Sequence, residues 1–451
     1  MLPESMFVNR TQEMNLLNNI YKKGKAELIL LYGRRRVGKT RLLKEFIKDK
    51  DSFYFIGDIS ADILKTFEQV VKERFVKFQN WDDFFDFLTI EGKKRVVVVL
   101  DEFQYLYKVE KAWPTILQRR WEDLKDSKIM IILCGSIVSS VYKIAIGYGS
   151  ALYGRKTYEI EISPLSFFDS KNFMKKYSME DFVYIYTIAG GIPRYLEEMD
   201  DKINIWENIK ENIANKNCFL YREPLNLFYE EFKNPSVYLS IIHALSEGGK
   251  KFNEISTITG ISTGKLTKYL NVLERVKIIK KIVPITENKE RTRNTQYRLM
   301  DNYIRFWFKF IYPIRAFIEL GETDLLISKL KKDLNGFVGH SFEEICSQFL
   351  IQKKPITFTD IGKWWHNEEE IDIVGLNDDK KEISFFECKW KDLNYNQSLK
   401  IFEELKSKSE HAKWYKNKRK ENFGLFAKKI DRKDKLRNQG FLVYDLDDWK
   451  K

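Results

Sequence analysis

The sequence predicts an α/β fold in which a parallel β-sheet is covered by helices on both faces. Three short apolar segments indicate strands of this sheet, namely Glu27–Tyr32, Val96–Leu100 and Ile129–Cys134. None of them alternates apolar with polar residues, and helix-length segments such as Lys39–Lys48 separate them along the chain. Because strands that are buried on both faces read as continuous apolar runs, this pattern favours a parallel sheet.

Length and composition indicate a folded chain of several domains. The chain has 451 residues, 78 Lys+Arg against 65 Asp+Glu, and a formal net charge of +13. At roughly 150 residues per domain, this length suggests about three folded units. The four cysteines are widely spaced without a CxxC pair, which argues against a disulfide framework or a structural zinc site. No apolar run approaches the ~18–20 residues of a membrane span, and the N-terminus lacks a secretory apolar segment, so we expect a cytoplasmic protein with no membrane partner.

The segment after the first predicted strand has the spacing of a phosphate-binding loop. Residues 33–40 read GRRRVGKT, which fits GxxxxGK[ST] between a strand and a helix. In this motif backbone N–H groups surround phosphate oxygens, the lysine reaches the β- and γ-phosphates, and the hydroxyl can ligate Mg²⁺; the alternative is a plain Gly/Arg turn. ATP and Mg²⁺ are the predicted cofactors. The residues predicted to bind them are Gly33, Arg34, Arg35, Arg36, Val37, Gly38, Lys39, Thr40 and Arg41.

Polar residues follow the second and third predicted strands. Asp101 and Glu102 come directly after Val96–Leu100. We expect Asp101 to hold the magnesium shell together with Thr40, and Glu102 to polarise the attacking water, although such a pair can also cap a helix. Ser136 follows the third strand, where it would act as a sensor between the two carboxylates and the γ-phosphate, or lie in an ordinary turn.

Two arginines are candidates to neutralise charge that develops on the γ-phosphate. Arg155 lies in the sequence Leu-Tyr-Gly-Arg, and Arg194 follows the sequence Gly-Gly-Ile-Pro. The planar fork of arginine suits phosphate oxygens. Either residue could equally form a surface or interdomain ion pair.

These motifs together resemble the archaeal-type ATPases, a branch of the AAA+/STAND class of P-loop NTPases. The resemblance implies a nucleotide-binding core, a helical lid in which Arg194 serves as a nucleotide sensor, and a capacity to form homo-oligomers. It covers about the first half of the chain closely, and the remaining domain order is similar to that of family members with a C-terminal domain of unknown function. The segments that carry it are Phe7–Arg10 with Glu13, the phosphate loop, Leu100–Gln104, Leu152–Arg155, Ser163–Leu165 and Gly190–Tyr195.

Residues 234–300 are strongly basic, with 12 Lys/Arg, five Asp/Glu and a net charge of +7. Phe252–Thr259 and Thr263–Val276 read as helices joined by a tight turn, which is the helix-turn-helix arrangement. The following β-rich stretches, with Lys289, Arg291 and Arg293 between them, resemble a winged-helix wing. Lys265 and Lys268 on the second helix would contact the phosphates of double-stranded DNA. The alternatives are a protein-interaction module or a merely solvated basic surface.

Charged residues in the last third of the chain fall on two neighbouring predicted strands. Because side chains alternate along a strand, Glu387 and Lys389 share one face, which Asp372 can also reach from its own strand. Two carboxylates and an amine there could bind Mg²⁺ and activate water against a phosphodiester. A solvated charged strand is the alternative.

Helix Phe337–Leu350 precedes these strands and offers a further carboxylate, and the set resembles the PD-(D/E)xK nuclease fold, also called restriction-endonuclease-like. That resemblance implies that Glu343 is the helix carboxylate, that Asp372 and Glu387 are metal ligands, and that Lys389 is the catalytic lysine. The sequence departs from the family pattern, because Glu370-Ile371-Asp372 stands where the family has Pro-Asp. The fold could also persist after the loss of nuclease activity.

The predicted organisation has five parts. They are a P-loop core (1–170), a helical lid (171–233), a winged helix (234–300), a helical connector (301–336) and a smaller nuclease-like α/β domain (337–451). The preferred hypothesis is an ATP-hydrolysing switch associated with DNA, in which lid motion reorients the later domains. The alternative is a signalling or scaffold ATPase whose later domains bind protein partners without nuclease activity.

Overall fold

The computed structural model describes residues 9–416 and 418–450 as two compact units. The first unit contains the chain up to Leu165 together with Ile192–Arg194 and Glu230–Lys233, and the second contains the rest. Phe7 and Val8 of the predicted family motif lie outside the described residues. Within the described ranges, no helix is long and apolar enough to cross a membrane.

The first unit is built on a parallel sheet of five strands, as the sequence predicts. The strand order is β2-β3-β4-β1-β5, and every neighbouring pair is parallel. All five carboxyl ends therefore meet at one edge of the sheet, and β4 separates β1 from β3. The strands are β1 (Glu27–Tyr32), β2 (Ser52–Ile56), β3 (Val96–Asp101), β4 (Ile129–Gly135) and β5 (Tyr158–Glu161).

Helices cover this sheet on both faces because its central strands are apolar along most of their length. Alternate residues of β1 point to opposite faces, so that Leu28 and Leu30 belong to one apolar core while Ile29 and Leu31 belong to another. The second core contains Leu42 and other residues of α2. The helices of this unit are α1 (Thr11–Lys22), α2 (Lys39–Ile47), α3 (Ile63–Val70), α4 (Trp81–Glu91), α5 (Gln104–Val109), α6 (Trp113–Leu124) and α7 (Val138–Val141).

Helices continue through the region predicted to be helical after the sheet. Ser178 begins one of them by accepting a hydrogen bond from the backbone N–H of Asp181, which satisfies a donor that the first helical turn leaves unpaired. The helices are α8 (Phe167–Ser170), α9 (Met179–Ala189), α10 (Pro193–Glu197), α11 (Ile205–Asn208) and α12 (Phe219–Glu231).

The basic middle region consists of three helices followed by a two-stranded antiparallel sheet. Gly260 ends the second helix with a φ of +68°, a left-handed conformation that glycine adopts without strain. Lys250 forms an isolated antiparallel bridge with Tyr297 and so extends this sheet by one residue beside β7. The elements are α13 (Pro235–Ser246), α14 (Phe252–Thr259), α15 (Thr263–Arg275), β6 (Ile279–Ile282) and β7 (Gln296–Leu299).

A long helix leads into the last part of the chain. After α16 (Asn302–Phe306) and α17 (Arg315–Glu319), helix α18 runs from Thr323 to Lys353. The sequence predicts a helix only from Phe337, and the predicted boundary after residue 336 falls inside α18. The start was missed because a polar stretch that includes Lys331, Lys332 and Asp333 hides the buried positions Leu326, Leu330 and Leu334, which recur every fourth residue.

The second unit ends in a mixed sheet of five strands with the order β12-β11-β10-β9-β8. Strands β8, β9 and β10 are antiparallel neighbours, whereas β10, β11 and β12 are parallel. The elements are β8 (Asp360–His366), β9 (Glu369–Asn377), β10 (Glu382–Leu393), α19 (Tyr395–Ser409), β11 (Lys420–Ile430), α20 (Lys433–Asn438) and β12 (Leu442–Tyr444). Helix α19 is the crossover that parallel pairing of β10 and β11 requires.

Candidate functional site

The phosphate loop, residues 33–38, joins β1 to α2 in a conformation that requires its glycines. Gly33 and Gly38 have φ values of +155° and +94°. A Cβ atom on Gly33 would lie 2.3 Å from the carbonyl oxygen of Ile162, closer than any side chain can approach. Glycine at these positions therefore allows the backbone to bend tightly between the strand and the first turn of the helix.

Lys39 is the first residue of α2, and its side chain is buried inside the bend. Its Nζ donates hydrogen bonds of 2.8 Å to the carbonyl oxygens of Gly33 and Arg34. Burial lowers the pKa of Lys39, while the nearby Glu102 and Asp101 carboxylates act in the opposite direction. The ammonium is thus held within the loop by neutral backbone acceptors, which an anionic ligand could replace.

Asp101 ends β3 on the same sheet face as α2, because residues two apart on a strand share a face and Val97 and Val99 pack against that helix. Its Oδ2 accepts a hydrogen bond of 2.8 Å from the Thr40 hydroxyl. Tyr54 donates its hydroxyl to the same oxygen. A hydroxyl and a carboxylate are oxygen ligands of the kind Mg²⁺ takes beside phosphate oxygens, so these residues fit the ion.

Glu102 and Ser136 also meet at this edge of the sheet. Ser136 follows β4, which lies between β1 and β3, and its hydroxyl donates a 2.6 Å hydrogen bond to Glu102 Oε2. The side-chain amide of Gln104 donates to the same oxygen. Glu102 has a φ of +53°, a conformation that non-glycine residues adopt rarely and that often marks functional positions. The Ser136 and Gln104 side chains together fix the direction of the Glu102 carboxylate.

The predicted arginines occupy different places. Arg194 belongs to a short segment of the first unit, Ile192–Arg194, in which the Cγ of Pro193 lies 3.9 Å from the position that a Cβ on Gly38 would take. Arg155 precedes β5, and Thr157 between them hydrogen-bonds to Leu28 at the start of β1. Arg155 therefore lies at the amino edge of the sheet, whereas the phosphate loop leaves the carboxyl edge.

The structure does not bring Arg155 to the phosphate loop of its own chain, and its Nε lies 3.5 Å from a carboxylate oxygen of Glu122. Arg35 is bound within the first unit, with NH1 2.6 Å from Glu230 and NH2 3.1 Å from the hydroxyl of Tyr105. Arg36 has a positive φ of +71°, Arg34 is buried, Val37 is fully buried, and Arg41 lies in the first turn of α2.

Three residues at this site have no role assigned from the sequence, namely Arg10, Tyr54 and Gln104. Arg10 donates hydrogen bonds to the carbonyl oxygens of Val37 and Ser163, at 2.8 and 2.7 Å, and so ties the phosphate loop to the segment after β5. Tyr54 could have been suspected, because it interrupts an otherwise apolar run of alternating phenylalanines in β2. The contact between Arg10 and the loop spans distant parts of the chain and has no local signal.

The C-terminal sheet brings the predicted nuclease residues together. Glu387 is buried, and its Oε2 lies 2.6 Å from the Nζ of Lys389. Lys389 Nζ also lies 3.9 Å from Asp372 Oδ2 across the β9–β10 pair. Two further carboxylates, Glu343 on α18 and Glu370 on β9, lie close by. We call Glu343, Glu370, Asp372 and Glu387 the carboxylate cluster.

Two lysines without a predicted role, Lys363 and Lys408, enter this cluster. Lys363 on β8 has its Nζ 3.1 Å from Glu343, 3.2 Å from Glu370 and 3.8 Å from Asp372. Lys408 on α19 has its Nζ 2.7 Å from the Oε1 of Glu387. Neither lysine carries a sequence signal, because each reaches the cluster from a different element than the predicted motif.

Burial and charge set the pKa values in the cluster. Burial, with the Glu343 and Glu387 carboxylates, raises the pKa of Asp372 to about 7. Burial would also raise the pKa of Glu387, but Lys389 and Lys408 outweigh it, so the pKa is lowered. Burial would lower the pKa of Lys363, but the net direction is upward because Glu343, Asp372 and Glu370 surround it.

Asp372 and Glu387, the predicted magnesium ligands, already contact ammonium or N–H groups of the protein. Both oxygens of Glu387 contact lysine ammonium groups, and Asp372 Oδ2 accepts the backbone N–H of Cys388 at 2.9 Å. Among residues 9–416 and 418–450, no three His, Cys, Asp or Glu side chains are grouped so that they could hold a metal together. Ammonium groups supply the positive charge that a divalent ion would bring.

The basic middle region presents its two predicted DNA-contacting surfaces differently. Lys265 and Lys268 are exposed on α15. In the segment between β6 and β7, Lys289 Nζ lies 3.2 Å from Asp360 on β8, and the Ile285 backbone N–H donates to the carbonyl of Lys363. This segment therefore packs on the C-terminal sheet, while the exposed face of α15 stays accessible.

Two protein families match the chain. Residues 7–199 match a family described as an ATPase domain predominantly from Archaea. Residues 307–401 match a family of archaeal and bacterial proteins of unknown function.

The chain is also similar to individual archaeal proteins and to a solved structure. The uncharacterized protein MJECL04 of Methanocaldococcus jannaschii is 34% identical over 460 residues, which cover 98% of this chain and 100% of that protein. The uncharacterized ATP-binding protein MJ0423 of the same organism is 56% identical over 45 residues, or 10% of this chain and 76% of that protein. The Walker-type ATPase paby2304 of Pyrococcus abyssi has a solved structure with 19% identity and a TM-score of 0.49, covering 68% of this chain and 97% of that one.

Proposed function

Since the chain belongs to the family of MJECL04 from Methanocaldococcus jannaschii and its first part is an archaeal ATPase domain, we propose that residues 33–41 bind ATP with Mg²⁺ for hydrolysis. The protein is an ATPase. The observation that carries the assignment of the site is the 2.8 Å contact between Thr40 and Asp101. It joins a helix start and a strand end that are 61 residues apart, as a shared magnesium ion requires.

Each polar residue of the site then has a chemical role. Lys39 exchanges the loop carbonyls for the β- and γ-phosphates, and Thr40 and Asp101 hold the metal, which neutralises charge on the phosphates. Glu102 orients the attacking water, and Ser136 and Gln104 hold its carboxylate in place. Gly33, Gly38 and the backbone N–H groups between them supply the remaining donors.

The two arginines act on different chains in this proposal. Arg194 serves as the lid sensor of its own chain, which the approach of the preceding Pro193 to Gly38 supports. Arg155 lies at the opposite edge of its own sheet. Because a six-residue strand separates the two edges by about 20 Å, Arg155 reaches a γ-phosphate only in a neighbouring copy. The functional unit is therefore a homo-oligomer in which Arg155 completes the site of the next subunit.

The middle region is a winged helix that binds double-stranded DNA, and nucleotide state alters its orientation. Three helices followed by a hairpin support the winged-helix assignment, and the net charge of +7 with exposed Lys265 and Lys268 supports phosphate contact. The C-terminal sheet, with its preceding helix and its crossover, supports a nuclease-like fold. We retain 1–170 as the core and 171–233 as the lid.

A second candidate is a scaffold ATPase whose later domains bind protein partners. The contact between Lys289 and Asp360 favours it, because one predicted DNA-contacting lysine already pairs with a surface carboxylate of the same chain. Filter binding to a DNA duplex across a salt series separates the candidates. A DNA-binding protein loses affinity steeply as salt increases, whereas absence of affinity at ~50 mM salt would favour the scaffold.

ATP hydrolysis by Lys39→Ala tests the nucleotide site. Loss of the phosphate-binding ammonium should lower the rate by about 10²–10³-fold. Lys48→Ala is the matched control, because Lys48 is exposed directly after α2 and should leave the rate unchanged. Equal rates for both variants and the wild type would refute the proposed site.

A further inference from the structure

We propose that the Lys363 ammonium permanently takes the place of a divalent cation in the carboxylate cluster, so that the C-terminal domain keeps a nuclease-like fold without binding metal. This inference concerns a site separate from the phosphate loop and does not depend on ATP hydrolysis. It predicts a specific consequence for the protein, because removal of one lysine should create a metal site.

The position of the ammonium carries the inference. Three carboxylates converge on Lys363 Nζ, at 3.1 Å for Glu343, 3.2 Å for Glu370 and 3.8 Å for Asp372. They come from α18 and from two positions on the same face of β9. These N–O distances suit an ammonium rather than a divalent cation, whose oxygen ligands lie at about 2.0–2.6 Å, and the largely buried Lys363 ammonium fills the point that the three carboxylates face.

The oxygens of Glu387 and one oxygen of Asp372 are also bound. Lys389 and Lys408 contact the two oxygens of Glu387 at 2.6 and 2.7 Å. The backbone N–H of Cys388 contacts Asp372. Ammonium groups and a backbone N–H therefore already occupy these oxygens, and a divalent ion that used both oxygens of Glu387 could bind only by displacing an ammonium.

The backbone fixes Lys363 in place. Its carbonyl oxygen accepts a 2.9 Å hydrogen bond from the Ile285 N–H, and the neighbouring Gly362 lies against the Ile285 side chain. Two residues further along β8, the indole N–H of Trp365 donates to Asn294 at 2.7 Å. The segment between β6 and β7 thus locks the strand that carries the lysine.

Access is not what keeps metal out. A cavity of about 510 Å³ reaches the cluster, and Glu343, Lys363 and Asp372 line it together with Lys280 and Arg298. Hydrated ions can enter a space of this size. The occupancy of the carboxylates, rather than a closed fold, is therefore the physical reason that metal does not bind.

Calorimetric titration of Mn²⁺ into the full-length protein without nucleotide tests the inference. Wild type and Asp372→Asn should give the same heats, because no Mn²⁺ binds through Asp372. Lys363→Met keeps the apolar stem, removes the ammonium, and should gain one Mn²⁺ per chain with affinity about tenfold or more above wild type. Adding Asp372→Asn to that variant should abolish the gain.

Lys289→Met is the matched control, because Lys289 lines the same cavity but pairs with Asp360 outside the cluster. It should behave like the wild type. Circular dichroism checks folding, and Lys363→Gln replaces Lys363→Met if the latter fails to fold. Mn²⁺ binding by the wild type that Asp372→Asn removes would overturn the inference, as would a folded Lys363 variant that gains no Mn²⁺. The wild-type comparison remains decisive even if neither Lys363 variant folds.

Discussion

The phosphate loop and the carboxylate cluster use the same residue types but connect them in opposite ways. At the phosphate loop, Lys39 donates to backbone carbonyls and Asp101 accepts from the Thr40 hydroxyl. In the carboxylate cluster, Lys363 faces Glu343 and Lys389 faces Glu387. Neutral partners can be exchanged for a metal and phosphates at small electrostatic cost, whereas opposite charges that already pair resist replacement.

This difference shows why a motif alone does not define chemistry. Asp372, Glu387 and Lys389 lie together as strand alternation predicts, and Lys363 and Lys408 contact the same carboxylates from other elements. At the phosphate loop two residues without a predicted role, Tyr54 and Gln104, are neutral. They orient the Asp101 and Glu102 carboxylates through hydrogen bonds.

The largest effect is expected from substitution of Glu102. It tests whether the residues around the phosphate loop catalyse hydrolysis. Glu102→Gln removes the group that orients and polarises water, so hydrolysis should fall by about 10²–10⁴-fold while ATP still binds. Ser136→Ala should have a smaller effect, because Ser136 acts only by positioning Glu102. Single-turnover hydrolysis with labelled ATP measures both. A larger loss for Ser136→Ala than for Glu102→Gln would contradict the assigned roles.

An intermediate effect is expected on the affinity for DNA. It compares the exposed lysines of α15 with Lys289, which forms an ion pair. The double variant Lys265→Ala with Lys268→Ala should reduce the slope of log affinity against log salt by about 1.8, because each lost phosphate contact removes about 0.9. Lys289→Ala should change the slope less, since Lys289 already pairs with Asp360. Fluorescence anisotropy with a labelled duplex measures these slopes. Equal slopes for the double variant and the wild type would exclude α15 from the DNA contact.

The smallest effect concerns pH and the carboxylate cluster. The folded protein raises the pKa of Asp372 from 3.8 to about 7, so it binds this proton more tightly than the unfolded chain does. The contribution to stability is therefore complete below about pH 4 and is lost as pH increases through 7. Asp372→Asn removes this dependence.

Urea denaturation followed by tryptophan fluorescence at several pH values measures that contribution. Between pH 4 and 7 the midpoint of the wild type should decline relative to that of Asp372→Asn. Parallel pH profiles would show that Asp372 titrates normally and that its surroundings do not disfavour the charged form.

Much of the first site could be predicted because its signals are local. The phosphate loop and the Asp101–Glu102 pair each occupy a short segment beside a continuous apolar strand, and a parallel sheet necessarily brings strand ends together. Ser136 followed from the same rule. The placement of Arg155 could not be foreseen, because it depends on which edge of the sheet the chain has reached before β5.

The second unit was harder to predict because its contacts depend on register and packing between distant segments. Strand β8 was missed, since Gly362 and Lys363 interrupt its apolar pattern, and Lys363 contacts three carboxylates of the cluster. The Asp372, Glu387 and Lys389 set was found because it follows strand alternation. Only the fold shows which cations surround it.

Calorimetric titration of ATP with Mg²⁺ into the wild type and Lys39→Ala tests the central claim most directly, namely that a triphosphate binds in the bend between β1 and α2. We predict one ATP per wild-type chain, weaker binding without Mg²⁺, and a loss of affinity of about tenfold or more in Lys39→Ala. The same heat and affinity in both proteins, or no heat with the wild type, would contradict it.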